Sequence, residues 1–136
     1  MIEVVNRQRR LKVDTDAWAM FAENALRAIG KHESSATIAF VSDKSIRKLN
    51  QQFRSIDKAT DVLSFPADGP DELNLGDIAV SVDTATAQAK ENGLSFDDEI
   101  AQLILHGLLH LSGYDHETDS GEMNKLELKL RKRLGI

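Results

Sequence analysis

His106-Gly107-Leu108-Leu109-His110-Leu111-Ser112-Gly113-Tyr114-Asp115-His116 is the stretch on which the reading of this chain turns. It holds three of the four histidines, and the chain has no cysteine to compete as a soft ligand. On a helix, His106 and His110 stand at i and i+4, so both imidazoles project from one face, as two ligands of a single ion must. His116 cannot join them by helical spacing. The interval from His110 is about 600° of rotation at roughly 100° per residue, which points to a different face. The chain must turn, and Gly113 stands where a glycine in the left-handed conformation would end the helix and swing His116 back.

The expected donor set is three imidazole nitrogens, His106, His110 and His116, with one position left for water. Zinc, one ion per chain, is the cofactor such a set favours. Histidine pairs four apart also occur on apolar helices that bind nothing; the glycine and the third histidine at a workable offset make this pair a ligand set. The spacing H-x3-H-x2-G-x2-H is that of the metzincin proteases. Those carry glutamate after the first histidine as general base, whereas this chain has Gly107 there.

The same eleven residues resemble the signature of the YbeY family, bacterial metal-dependent endoribonucleases associated with maturation and quality control of small-subunit ribosomal RNA. Phe53-Arg54-Ser55-Ile56-Asp57-Lys58-Ala59-Thr60-Asp61-Val62-Leu63-Ser64-Phe65-Pro66 resembles the family's other motif. It departs from that motif at Ala59, where the family usually has proline before Thr-Asp. The resemblance covers essentially the whole chain. It implies a zincin-like fold, an RNA substrate in the small ribosomal subunit, a catalytic role for Arg54 and an orienting role for Asp77. As partners it implies a small-subunit ribosomal protein and a ribosome-assembly GTPase.

The chemistry of Arg54 agrees with that role, because a permanently charged, planar donor fork suits a phosphoryl group gaining charge. Its competing role is that of a cation at a helix C-terminus, worth about a few tenths of a kcal/mol. Asp61 and Ser64 either orient ligands or substrate by hydrogen bonding or shape the turn. Asp115, beside His116, either hydrogen-bonds an imidazole or holds the bend. With Gly107 where the glutamate would be, the general base is a metal-activated hydroxide, a ribose 2′-hydroxyl or a carboxylate from elsewhere.

Length and composition bound these readings. A chain of 136 residues is one ordinary domain, residues 1–136, able to bury a substantial core. With 41% hydrophobic and 29% charged residues it reads as soluble and globular, and without cysteine it has neither disulfides nor thiolate metal sites. Met1 to Arg10 has no apolar signal-peptide core and no run approaches about 18 apolar residues, so a cytoplasmic protein with no membrane partner is expected. A net charge of −5 argues against a protein that merely coats RNA. Arg7, Arg9, Arg10 and Lys12 cluster near the start, and Lys125, Lys129, Arg131, Lys132 and Arg133 near the end. They form one basic patch if the fold joins the two ends, and solvated surface otherwise.

Working outward, strands are expected over Ile2 to Val5, Ala36 to Val41, Val62 to Phe65 and Asp77 to Val82. Helices are expected from Thr15 to Ile29, from a Ser42 or Asp43 cap to Arg54, and from an Asp83 cap to Gly93. The metal helix opens on a Ser95–Asp98 capping box, and a final helix on Asp119 with Glu122. Its apolar residues run almost all round the metal helix, which is therefore buried. The architecture is α+β, a mixed four-stranded sheet packed with helices. The activity expected is zinc-assisted hydrolysis of an RNA phosphodiester by a single-strand-type endoribonuclease. The alternatives are a zinc metallopeptidase and a non-catalytic ribosome-associated module with structural zinc.

Overall fold

The computed structural model describes residues 1–115 and 118–136. In chain order the elements are β1 (Ile2–Asn6), α1 (Thr15–Ile29), β2 (Ser35–Val41), α2 (Asp43–Arg54), β3 (Val62–Pro66) and β4 (Asn74–Ser81). Three helices follow: α3 (Val82–Asn92), α4 (Phe96–Leu111) and α5 (Glu122–Leu134). The sheet order is β1-β2-β4-β3, with β1, β2 and β4 parallel and β3 antiparallel on the edge. This is the α+β arrangement with a mixed four-stranded sheet that the sequence predicts. Pro66 ends the edge strand, where a missing N–H removes no interior ladder bond. Among the described residues no helix is long and apolar enough to cross a membrane.

Period-two alternation divides the strands between two cores. Ile38 and Phe40 of β2 and Ile78 and Val80 of β4 join Leu26 of α1, Val82 of α3, Ile104 and Leu108 of α4 and Met123 of α5 in the larger one. Val41, Leu63 and Ala79 point the other way, to Ile46 of α2. Four helices therefore cover one face and α2 alone covers the other, which places α4 directly against β3 and β4.

Gly107 makes that approach close. A Cβ there would stand 3.0 Å from Cδ1 and 3.2 Å from Cγ2 of Ile78, so the helix meets the sheet where it has no side chain. The position that holds glutamate in the metzincins faces a packed interior here.

Most helix starts are the expected ones: Asp14, Ser42 and Ser95 accept from Ala17, Ser45 and Asp98 N–H respectively. Three expectations are corrected. Strand β4 begins at Asn74, not Asp77, because a bulge at Leu75 lets Gly76 continue the pairing with β2. Gly76 has φ +130° and a Cβ there would lie 2.2 Å from the Phe65 carbonyl oxygen, so only glycine fits. The cap of α3 is Ser81, and Val82 opens that helix instead of closing the strand. Asp83 turns instead to α2: its carboxylate accepts from the Asp43 N–H at 2.8 Å and from Arg10 at 2.7 Å. Asp43 reciprocates, accepting from Ser81 Oγ and Thr84 Oγ1 at 2.6 Å each. The cap of α5 is Gly121, although Asp119 still satisfies the Gly121 and Met123 N–H groups at 2.8 and 2.9 Å.

Candidate active site

A cleft of about 1190 Å³ runs along the exposed side of α4. One wall consists of α4 and α5, the other of β3 with the Arg54 end of α2, and the C-terminal part of α3 closes one end. Its lining includes His106, His110, Arg54, Asp61, Ser64 and Asp115, so the fold brings together all but two of the residues singled out in the sequence. The two are His116, which lies outside the described residues, and Asp77. Asp77 is exposed, projects from the sheet face opposite Ile78 and Val80, and borders a separate hollow with residues 65–71, Asn74 and Gly76.

The two helical imidazoles meet as their spacing predicts. Their Nε2 atoms are 3.1 Å apart, with ring planes at 77°. Two nitrogens each about 2.0–2.1 Å from a tetrahedral ion would be about 3.3 Å apart, so the pair is already near the spacing that one zinc requires. His106 Nδ1 lies 2.6 Å from Glu127 Oε1, on a carboxylate only 7% exposed. In the tautomer protonated at Nδ1 the ring donates to that carboxylate and keeps the Nε2 lone pair for a ligand. Glu127 Oε2 in turn accepts from Arg131 Nη2 at 2.9 Å. These observations fit a metal. Among the described residues no cluster of three histidine, cysteine or acidic side chains suited to an ion is formed, and the third donor expected is His116.

Past His110 the helix ends as a glycine allows. Gly113 has φ +102°, and the Tyr114 N–H returns to the Leu109 carbonyl at 3.1 Å. The Asp115 carbonyl accepts from the Asp119 N–H at 3.1 Å, so the backbone of Asp115 holds the bend. Ser64 Oγ lies 3.4 Å from the Gly107 carbonyl, at the junction of β3 and α4. Asp61 folds back on its own strand, accepting from the Val62 N–H at 2.7 Å.

Arg54 is the last residue of α2, exposed, and among the described residues it makes no ion pair. The chain leaves it through Ser55, in the left-handed conformation at φ +59°. The loop beyond is pinned by Asn50, whose Nδ2 donates to the Lys58 carbonyl at 2.8 Å, and by Arg47, which pairs with Asp57 at 2.7 Å. Ala59 packs on the smaller core.

Sequence reading did not single out Glu127, Glu99 or Asn50. Each is a polar side chain at a buried helical position, 7%, 4% and 3% exposed. Glu127 carries a visible signal, since it stands four after Met123 and three before Leu130, within the apolar stripe of α5. Within the two basic clusters, Arg10 pairs with Asp83 and Arg131 with Glu127.

Residues 3–135 match the family model described as endoribonuclease YbeY. An endoribonuclease YbeY of Nautilia profundicola is 54% identical over 99 residues, 73% of this chain and 71% of its own. That of Koribacter versatilis is 44% identical over 133 residues, 98% of this chain and 86% of its own. The solution structure of a Thermotoga maritima protein superposes with a TM-score of 0.69 at 29% identity, covering 98% of this chain and 89% of that one. A match over nearly the full length, on a fold whose cleft gathers both signature motifs, means that the chain belongs to the endoribonuclease YbeY family.

Proposed function

We propose that this protein is a zinc-dependent endoribonuclease that cuts single-stranded regions during maturation and quality control of small-subunit ribosomal RNA. Its setting is the cytoplasm, with a small-subunit ribosomal protein and a ribosome-assembly GTPase as partners. The observation that carries the chemistry is the imidazole pair, with Nε2 atoms 3.1 Å apart and one Nδ1 on a buried carboxylate, in a cleft shared with Arg54. Family membership supports the substrate class.

His106, His110 and His116 would hold the ion, which when bound supplies Lewis acidity to the scissile phosphoryl group and the attacking water. The rest is work for this chain's own side chains. Glu127 Oε1 keeps the proton of His106 on Nδ1, which fixes the ring's orientation and turns Nε2 to the ion. Arg54, uncommitted to any carboxylate among the described residues, offers its fork to the phosphoryl oxygens as their charge grows in the transition state. A peptidase reading needs a base at position 107, and there the Cβ direction runs into Ile78.

The test combines metal analysis of purified protein with cleavage of structured ribosomal RNA by wild type and Arg54→Glu, beside a digest of a peptide library. The variant should keep its zinc and lose about 10²–10³-fold in turnover, the usual cost of removing one transition-state donor. Cleavage at the wild-type rate removes Arg54 from the mechanism, and cleavage of peptides in place of RNA removes the reading.

A further inference from the structure

We infer that Arg131 is a second phosphate-binding group of the cleft, holding the phosphodiester next to the one that is cut. This rests on the ribonuclease reading above. Arg131 lines the cleft from α5, with 30% of its side chain exposed. One terminal N–H is held by Glu127 Oε2 at 2.9 Å, and its Nε is buried with no acceptor among the described residues. A pair serving only helix stability, four residues apart on a surface, would leave its arginine in water. Here the side chain is drawn inward, at the expense of a buried donor, to a place on the wall of the cleft.

The charge of the lining explains what such a group is for. Asp61, Glu91, Glu99, Asp115 and Glu127 all border the cleft, and among the described lining residues Arg54 and Arg131 are the only lysine or arginine side chains. A polyanion entering this space is repelled nearly everywhere else, so its phosphates are directed to the two guanidiniums. Arg131 does not share one phosphate with the metal ligands. Arg131 is joined through the Glu127 carboxylate to the Nδ1 side of His106, the side of the ring away from Nε2. The Glu127 bridge therefore sets a fixed offset, and Arg131 meets a neighbouring phosphate of the same strand while Arg54 faces the scissile one.

The experiment measures binding of a fluorescein-labelled, 2′-O-methylated single-stranded RNA to the zinc-loaded full chain as a function of salt, by anisotropy. Arg131→Gln, Arg131→Lys and, as control, the exposed Lys132→Gln are compared with wild type, each checked for folding by circular dichroism. Losing one phosphate contact should lower the slope of log K against log salt by about 0.7 and weaken binding about fivefold at 0.1 M salt. Lysine should restore the slope, Lys132→Gln should change neither quantity, and zinc affinity by competitive titration should be the same in all. An Arg131→Gln protein with wild-type affinity and slope overturns the inference alone. So does a loss of RNA binding that tracks a loss of zinc, which would mean that Arg131 acts only through Glu127. A wild type without salt-dependent RNA binding overturns the ribonuclease reading and this inference together.

Discussion

The α4–α5 wall of the cleft and the β3 wall across from it are held in different ways. On the first, a chain of contacts at 3.1, 2.6 and 2.9 Å links His110, His106, Glu127 and Arg131, and the helix beneath is locked to the sheet at Gly107. On the second, Arg54 is exposed and unpaired among the described residues, and its loop hangs on the Asn50 and Arg47 contacts. The difference suits the two tasks that the proposed function assigns to these walls. Ligands of an ion must be aimed before it arrives, whereas a residue that meets a growing charge needs reach and an open donor fork.

The sharpest way to break this contrast is to remove a proposed ligand from the rigid wall. His110→Ala should lose zinc and lower RNA cleavage by several orders of magnitude, yet keep a cooperative melting transition, because the helix is buried by Ile104, Leu105, Leu108 and Leu109 whatever the cleft contains. Zinc content, turnover and a thermal melt on one preparation check it. Disappearance of the transition would make the metal structural and the site something other than a reaction centre.

Next in size is the position where the metzincin base is missing. Gly107→Glu should not create a protease but should unfold the chain or cost several kcal/mol, since the carboxylate would enter the packed interface with Ile78 without a partner. Gly107→Ala is the graded control. Overpacking against Ile78 is offset in part by the better helix propensity of alanine, leaving a net loss of about 1 kcal/mol. Urea unfolding measures both. A glutamate variant as stable as wild type would show that α4 is not seated as tightly as the contrast requires.

The orientation of His106 is tested by Glu127→Gln, which keeps the shape of the side chain and removes its charge. Zinc affinity should fall about 10–100-fold, the usual effect of losing a carboxylate behind a metal-bound histidine. Nitrogen NMR of the imidazole should show the Nδ1-protonated form losing its dominance. Unchanged affinity and an unchanged tautomer would mean that the rigid wall owes nothing to this contact.

These residues also mark how far the sequence could be read. Helix α1 has the expected bounds, because one amphipathic stripe ends at a capping aspartate and a glycine that the chain places locally. The imidazole pair was legible for the same reason, being separated by a single helical turn. Glu127 was visible only as a charge within the apolar stripe of α5, because its partner is 21 residues away and its task depends on the facing helix. The start of β4 was missed because its bulge depends on the neighbouring strand, and the cap of α3 because Asp83 is drawn to α2 by a contact between residues 40 apart. What local periodicity and capping decide was visible; what two distant elements decide together was not.

The smallest expected effect concerns what suspends the looser wall. Asp83 and Asp43 tie the first turns of α2 and α3 together, at the opposite end of α2 from Arg54. Hydrogen bonding from the Asp43 N–H, joined by the smaller effect of Arg10, holds the Asp83 carboxyl below the usual carboxylate range against the opposing effect of burial. Because the folded value is depressed, the stabilisation is fully present above the unfolded pKa of about 3.9 and is lost as pH falls through the lower folded one. Asp83→Asn should therefore cost about 1 kcal/mol at neutral pH, and the gap to wild type should close under more acidic conditions. Hydrogen exchange should quicken across α2 and the loop after Arg54 and stay unchanged in α4. Equal loosening on both sides would show that the two walls are one cooperative unit, and the division between a fixed metal side and a pliant substrate side would have to be given up.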